Sequence, residues 1–246
     1  MAERKSLIEF RKDAVLIAPG ASYMISIMPF SKHDLDRAVK IGAGAYVEGD
    51  IWGVTVEIGS GAEVKGRVFG ERSLNIASGA LIHGDIMTRG ILECAEGVRV
   101  GSGRAANVYA SDLRMGQGCQ IDGNIICSGE VSLATGCVIS GNVMARGSLS
   151  MGKGCEARDI ISLGAIFLAE GVRIQDDVIW ARGDITALNP ELAGRNPQES
   201  QRVAAAGWEI NLNQDKVRAT SSAAPEDEFL LSLREMLRAR PGEGGK

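Results

Sequence analysis

Aromatic residues are scarce in this sequence, basic charge is not in surplus, and each shortage argues against a class of partner. Aromatic side chains make up 4% of the 246 residues, which leaves few surfaces on which nucleic-acid bases could stack. The formal net charge is −4, so no basic excess is available to neutralise a phosphate backbone. We therefore expect no nucleic-acid partner.

Residues typical of catalytic sites are also few. The only histidines are His33 and His83, whereas a carbonic-anhydrase-like zinc site needs three imidazoles. No glycine-rich phosphate loop joins a strand to a helix. We expect no enzyme, no cofactor and no metal; if the chain were an acyltransferase, His83 would be its candidate general base.

Long apolar runs are missing, which bears on the compartment. No stretch of about 18 apolar residues is present, so we expect no membrane-spanning segment. Met1 to Lys5 are followed by no long apolar region, so we expect no secretory signal. The five cysteines are odd in number and form no close pair, which favours a reducing compartment. The sequence predicts a cytoplasmic protein, either free or held peripherally at the inner face of the cell membrane.

Glycine, by contrast, is abundant, and its spacing reveals an internal repeat. Eight glycines lie at intervals of 17, 18, 18, 21, 18, 18 and 17 residues, each three positions after an apolar or soft residue. So regular a series indicates a true internal repeat. We take these preceding residues as position one of each unit: Ile41, Ile58, Ile76, Cys94, Met115, Leu133, Met151 and Leu168.

Apolar residues recur two positions before each marker, at position seven and at position eleven. Short alternating stretches such as Val56-Glu57-Ile58 have the period of half-buried strands, and so short a unit has no room for a helix. Stacked coils would place each apolar position about 4.8 Å from its copy, around one axial core. The sequence therefore predicts an all-β fold, a β-solenoid of about eight coils over residues 39–186.

The units also resemble a known family. Ile41 to Ile51 reads IGAGAYVEGDI, Ile58 to Val68 reads IGSGAEVKGRV, and Ile76 to Ile86 reads IASGALIHGDI. This pattern resembles the bactofilins, the polymer-forming cytoskeletal proteins. The resemblance implies a right-handed, three-sided β-helix that polymerises end to end without nucleotide and is often attached to a membrane by a terminal tail.

Two alternatives to a filament-forming scaffold stay open. A trimeric, left-handed hexapeptide acyltransferase would carry large aliphatic residues at positions one, seven and thirteen, but position thirteen is varied here, from Gly53 to Trp180. A capped adaptor that does not polymerise is the other alternative.

End-to-end stacking would use the core residues of the first and last coils, because an uncapped solenoid leaves strand edges and core side chains open there. The predicted contacts are Val39, Ile41, Val47 and Ile51 at one end, and Ile166, Leu168, Ile174 and Val178 at the other.

Two further rows of equivalent residues invite a functional interpretation. Position ten carries Asp50, Arg67, Asp85, Asn124, Asn142 and Asp177. Position five carries Cys119, Cys137 and Cys155 where earlier units have alanine. We expect the position-ten side chains to form hydrogen bonds at the corners of the coils, with a ligand-binding row as the alternative. We expect the cysteines at position five to be small buried side chains that fill the core, with a soft-metal site as the alternative.

The N-terminal segment, residues 1–38, is predicted to form a hairpin of Ala14–Ala18 with Tyr23–Met28 across Pro19 and Gly20. It would cap the first coil. Alternatively it would touch a membrane surface through a small set of apolar and basic residues. That set is Ile25, Ile27, Met28 and Phe30 with Arg11 and Lys12.

The C-terminal tail, residues 187–246, is predicted to contain an amphipathic helix over 226–240. Acidic residues open this segment and arginines close it, as the helix dipole favours. Its apolar face carries Phe229, Leu230, Leu233, Met236 and Leu237. This face would dock on the chain's own solenoid, bind a protein partner or a second copy, or lie on a membrane.

Overall fold

The computed structural model describes residues 8–27, 37–175 and 179–187, and in these ranges the chain is all-β. Successive coils stack so that each strand pairs in parallel with the equivalent strand of the next coil. Strands from the stacked coils form three faces. The predicted β-solenoid of about eight coils is therefore confirmed.

The first face carries the marker residue and the residues just before it. Its strands are Ala14–Ile17, Ala38–Ile41, the second half of Ile51–Ile58, the second half of Val68–Ile76, Ile91–Cys94, Asp112–Met115, Val131–Leu133, Leu149–Met151, Ile166–Leu168 and Ile185–Ala187.

The second face is built from two-residue strands that contain position seven. They are Ser22–Tyr23, Tyr46–Val47, Glu63–Val64, Leu81–Ile82, Arg99–Val100, Gln120–Ile121, Val138–Ile139, Glu156–Ala157 and Arg173–Ile174.

The third face closes each coil before the chain returns to the first. It comprises the first halves of Ile51–Ile58 and Val68–Ile76, followed by Ile86–Thr88, Val108–Ala110, Ile125–Cys127, Val143–Ala145, Ile160–Ser162 and Ile179–Ala181.

One axial core results from the alternation of inward and outward side chains along every strand. Val64 and Ile82, neighbours at position seven, are fully buried, as are Leu74 and Leu92 on the first face. Full burial of such a side chain contributes about 1.5–3 kcal/mol. The turn after each marker needs glycine at position four: Gly118, for example, has φ +66° and open space where a Cβ would stand.

The N-terminal segment differs from the prediction, because residues 14–27 form a coil of the solenoid. Ala14–Ile17 pairs in parallel with Ala38–Ile41, and Ser22–Tyr23 pairs with Tyr46–Val47, so the predicted hairpin between Ala14–Ala18 and Tyr23–Met28 is wrong. The physical reason is Gly20, whose φ of +66° makes the same corner that position four makes in later coils. The solenoid thus begins at Ala14, ahead of the predicted Val39.

A true hairpin lies one strand earlier. Ile8–Phe10 pairs antiparallel with Ala14–Ile17 and adds a strand to the outer edge of the first face.

The third-face register shifts in the last two units. Ile160 and Ile179, not the predicted Ile161 and Val178, continue the inward row. Ile160 lies one residue before position eleven of its unit, whereas Ile179 lies one residue after it. Position thirteen is inward at Gly53, Gly70, Thr88, Cys127 and Ala145, where small side chains suit the crowded corner; a Cβ on Gly53 would lie 2.9 Å from Val39 Cγ2. In the last unit the shifted register turns Trp180 outward.

Candidate functional site

The four residues predicted to form the first end lie one coil inside the solenoid. Val39, Ile41, Val47 and Ile51 are all buried, because residues 14–27 stack on them and Ile27 bridges to Ile51. They are therefore not end residues.

The actual N-terminal end is covered along its first face. Val15, Ile17 and Ile27 of the first coil are buried, and the antiparallel strand Ile8–Phe10 lies across the first-face edge. An N-terminal cap is thus present, built differently from the predicted one.

Three large apolar side chains project from this end. Phe10, Met24 and Ile25 are 56%, 63% and 61% exposed. Of the residues predicted to touch a membrane, Ile25 is exposed and Ile27 is buried, while Met28 and Phe30 lie outside the described residues. Arg11 is ion-paired with Glu9, with Nε and Oε1 3.0 Å apart.

The C-terminal end is more open. Ile166 and Leu168 are buried beneath the strand Ile185–Ala187, so they too lie inside the solenoid. Ile174, one of the predicted end residues, is half-buried in the last second-face strand. Val178 lies outside the described residues, and its expected place in the inward row is taken by half-buried Ile179.

Strand edges at this end have no pairing on their outer side within the residues that the structure covers. Arg173–Ile174, Ile179–Ala181 and Ile185–Ala187 each pair only with the preceding coil. Such edges expose backbone N–H and C=O groups that can template a further strand. Among the described residues the two ends therefore differ in the first face, whose edge is covered by Ile8–Phe10 at the N-terminal end and unpaired at Ile185–Ala187.

A second candidate surface, missed in the sequence, runs along the outside of the third face. The middle residue of every third-face strand points outward, and in every coil it is large and apolar. We call this set the third-face row: Trp52, Phe69, Met87, Tyr109, Ile126, Met144, Ile161 and Trp180. All except Met144, which is buried, are half-buried, and the rings of Trp52 and Phe69 lie 4.5 Å apart.

The outward row of the first face is polar by comparison. Lys40 Nζ lies 2.8 Å from Glu57 Oε1, and Arg114 Nη1 lies 3.0 Å from Glu93 Oε1 in later coils. These pairs line an open groove of about 710 Å³. Because the charges neutralise one another in pairs, the groove presents no net field that would select a charged ligand.

The position-ten row hydrogen-bonds from coil to coil, as expected for a corner. Asn107 Oδ1 accepts from the backbone N–H of Asn124 at 3.1 Å, and Asn124 Oδ1 accepts from that of Asn142 at 2.9 Å. The Asn107 and Asn124 side chains thus join successive coils, whereas Asn142 Oδ1 is buried without a hydrogen-bond partner among the described residues. Asp177 of this row lies outside the described residues.

The thiol row is closed to solvent. Cys119, Cys137 and Cys155 are fully buried and free, and their Sγ atoms donate to backbone carbonyls at 2.9–3.2 Å. Hydrogen bonding among the three raises the pKa of Cys137 and lowers the pKa of Cys119 and of Cys155 to about 7. The described residues contain no group of side chains that could hold a metal ion.

His83 lies on the outer side of the second face among charged neighbours. Its Nε2 atom is 2.9 Å from Glu63 Oε1 and 3.0 Å from Lys65 Nζ. The hydrogen bond from Lys65, followed by that from His83, lowers the pKa of Glu63. The cluster is an outward ion-pair network at one point of a repeating face.

The predicted tail helix falls beyond the last described residue. Phe229, Leu230, Leu233, Met236 and Leu237 all lie outside the described residues, so this prediction stands on the sequence alone. Among the ranges that the structure does cover, no helix has the length and hydropathy that crossing a membrane requires.

Comparison with protein-family models, with curated proteins and with solved structures gives no match to this chain.

Proposed function

We propose that this protein is a structural scaffold that self-associates through the ends of its solenoid, without nucleotide and without catalysis. The observation that carries the proposal is the open C-terminal end, where Ile174 and Ile179 are half-buried although their rows are buried in the preceding coils. A second molecule stacked there would pair the free strand edges and remove apolar surface from water.

Head-to-tail stacking would build a filament or patch, in keeping with the resemblance to bactofilins. The joining surfaces would be the C-terminal edges of one molecule and the outer edge of Ile8–Phe10 and Ser22–Tyr23 in the next. Such a contact joins two different surfaces, so it builds an open filament unless the rotation between successive molecules closes a ring. The scaffold would lie in the cytoplasm or at the inner face of the membrane and would recruit partners along its length.

A second candidate function, a capped adaptor of fixed size, is favoured by the antiparallel strand Ile8–Phe10. That strand reverses the direction of the stack at one end, so a parallel coil from another molecule cannot continue it. Two open C-terminal ends would then meet in a closed dimer.

The end contact is tested by Ile174→Glu in the full chain. We expect the buried charge to abolish assemblies in negative-stain microscopy and to reduce the mass measured by light scattering, with β-rich circular dichroism unchanged. Ser132→Glu, at an exposed site in mid-solenoid, is the matched control and should assemble normally. Normal assembly of Ile174→Glu would contradict the proposal.

A second variant separates the filament from the closed dimer. Glu9→Pro removes an amide hydrogen from the capping strand and weakens its pairing with Leu16. If the cap limits assembly, this variant should convert a particle of fixed mass into longer polymers. If wild-type filaments already form and Glu9→Pro shortens them, the capping strand belongs to the polymer contact.

A further inference from the structure

The third-face row is the most apolar outward surface among the described strands. Its eight members follow one another in register, so seven steps of about 4.8 Å give a stripe about 34 Å long. The corresponding first-face row carries Lys40, Glu57 and Glu93, which shows that an outward row in this fold has no intrinsic need to be apolar. An apolar patch of up to a few hundred Å² on a protein surface is often functional, so this stripe is a candidate interaction surface.

The width of the stripe selects the kind of partner. A three-residue strand in each coil gives a track about 10 Å wide and hence a projected area of roughly 340 Å², of which only part is exposed because its side chains are half-buried or, at Met144, buried. A standard interface between two globular proteins buries about 800 Å² per partner, more than twice this area. An α-helix, with a diameter of about 10–12 Å, fits such a track.

The chain itself supplies a suitable helix. Residues 226–240 are predicted to be amphipathic, and their apolar face from Phe229 to Leu237 is about 12 Å long, which corresponds to between two and three coil spacings. The segment opens with Glu226, Asp227 and Glu228, whereas Arg89 and Arg146 are exposed at corners directly after third-face strands. Apolar surface and charge are thus complementary.

The length of the connecting chain allows the contact. The last described strand ends at Ala187, and Phe229 follows 42 residues later. A flexible chain of that length has a root-mean-square span of about 36 Å, comparable with the length of the row. A tethered segment at such a distance has an effective concentration near the millimolar range, which favours binding within the molecule.

We propose that the C-terminal segment 226–240 docks as a helix on the third-face row of its own chain. Between two and three coils of the stripe would then be covered by the tail in the isolated molecule. This contact uses a side of the solenoid that the end-to-end contact does not use, so the two proposals can fail separately.

Photo-crosslinking in the full-length protein tests the docking. With p-benzoylphenylalanine in place of Phe229, we expect crosslinks to the third-face row, chiefly at Met87, with a yield independent of protein concentration. The control places the same probe at Glu235, on the opposite side of the predicted helix, and should give few such crosslinks. Crosslinks to another face, crosslinks only between isotopically mixed copies, or no crosslinks would overturn the proposal.

Substitution of the row provides the second arm. Phe69→Ser combined with Met87→Ser should lower the crosslink yield at least about fivefold, since loss of the apolar contact weakens docking, while circular dichroism confirms an intact solenoid. An unchanged yield would overturn the proposal. Ile174→Glu, which targets the end contact, should leave the crosslink unchanged, so the outcome is independent of self-assembly.

Discussion

The carboxylate of Asp50 holds two nitrogen atoms of Arg67 in the next coil. Oδ1 accepts from the backbone N–H at 2.7 Å, and Oδ2 accepts from Nη2 at 2.8 Å. Desolvation by partial burial raises the pKa of Asp50, but the hydrogen bonds and positive charge of Arg67 outweigh it and leave this pKa below its ordinary value. One side chain therefore ties two coils together at the corner between the second and third faces.

Acid should weaken this tie. Because the pKa of Asp50 is lower in the folded chain, its stabilisation is complete above the ordinary value of 3.8 and is lost as the pH falls through the folded value. We expect no more than about 0.5 kcal/mol, since the Arg67 side chain is 62% exposed and solvent screens the pair. Urea unfolding from about pH 6 down to about pH 2.5 measures it. Asp50→Asn should reduce the dependence of the free energy of unfolding on pH in this range. If the variant loses as much stability in acid as the wild type, Asp50 is not the group responsible.

The asparagine part of the same corner row should matter more. Asn124 donates through Nδ2 to Asn107 Oδ1 at 3.0 Å and accepts from the Asn142 N–H at 2.9 Å. Asn124→Ala leaves the Asn142 N–H without its acceptor in a partly buried corner and removes one of the two hydrogen bonds that Asn107 Oδ1 accepts, so we expect a loss of about 1–3 kcal/mol in the free energy of unfolding. Chemical denaturation tests this, with Ser132→Ala at an exposed site as the control. Equal stability of the two variants would mean that water replaces the lost bonds.

Two glycines of one turn should respond differently to substitution. Gly118 has φ +66° and open space where a Cβ would stand, so Gly118→Asn should cost little and Gly118→Val about 1–2 kcal/mol through backbone strain. At Gly116 a Cβ would lie 2.7 Å from the Ala95 carbonyl carbon of the preceding coil. Gly116→Ala should therefore cost more than Gly118→Val, because the two coils must separate. Thermal unfolding of the three variants gives the order, and the reverse order would refute this account.

The sequence was sufficient for the solenoid because the same inward positions recur in every unit. Val64 and Ile82 are equivalent by spacing and prove to be adjacent and fully buried. The coil formed by residues 14–27 was missed although Ile17 and Gly20 repeat the marker and its glycine, because 24 residues separate Gly20 from Gly44. A longer connection hides a coil from a search at fixed period.

The candidate surfaces were less predictable for two physical reasons. Burial at an end of the solenoid depends on segments outside the regular repeat. The spacing alone predicts that Val39 lies in the first coil, but in the structure Ala14–Ile17 stacks on its strand. The third-face row was visible in Trp52, Phe69 and Met87, one residue after position eleven, but an outward apolar residue is distinguishable from an inward one only when the strand register is known.

The buried thiols should be unreactive despite their altered acidity. The pKa of Cys119 and of Cys155 is about 7, yet each side chain is fully buried beside Cys137, so a reagent cannot reach the sulfur without unfolding. We expect a disulfide reagent at about pH 8 to label the native protein only at the rate of unfolding, and all five cysteines at once in guanidinium. An added thiol, Ser132→Cys, lies on the exposed first face and should react immediately in the native state. Rapid labelling of Cys119 or Cys155 in the native protein would contradict this prediction. It would show that the coils open locally and that thiol acidity, not burial, determines the reaction rate.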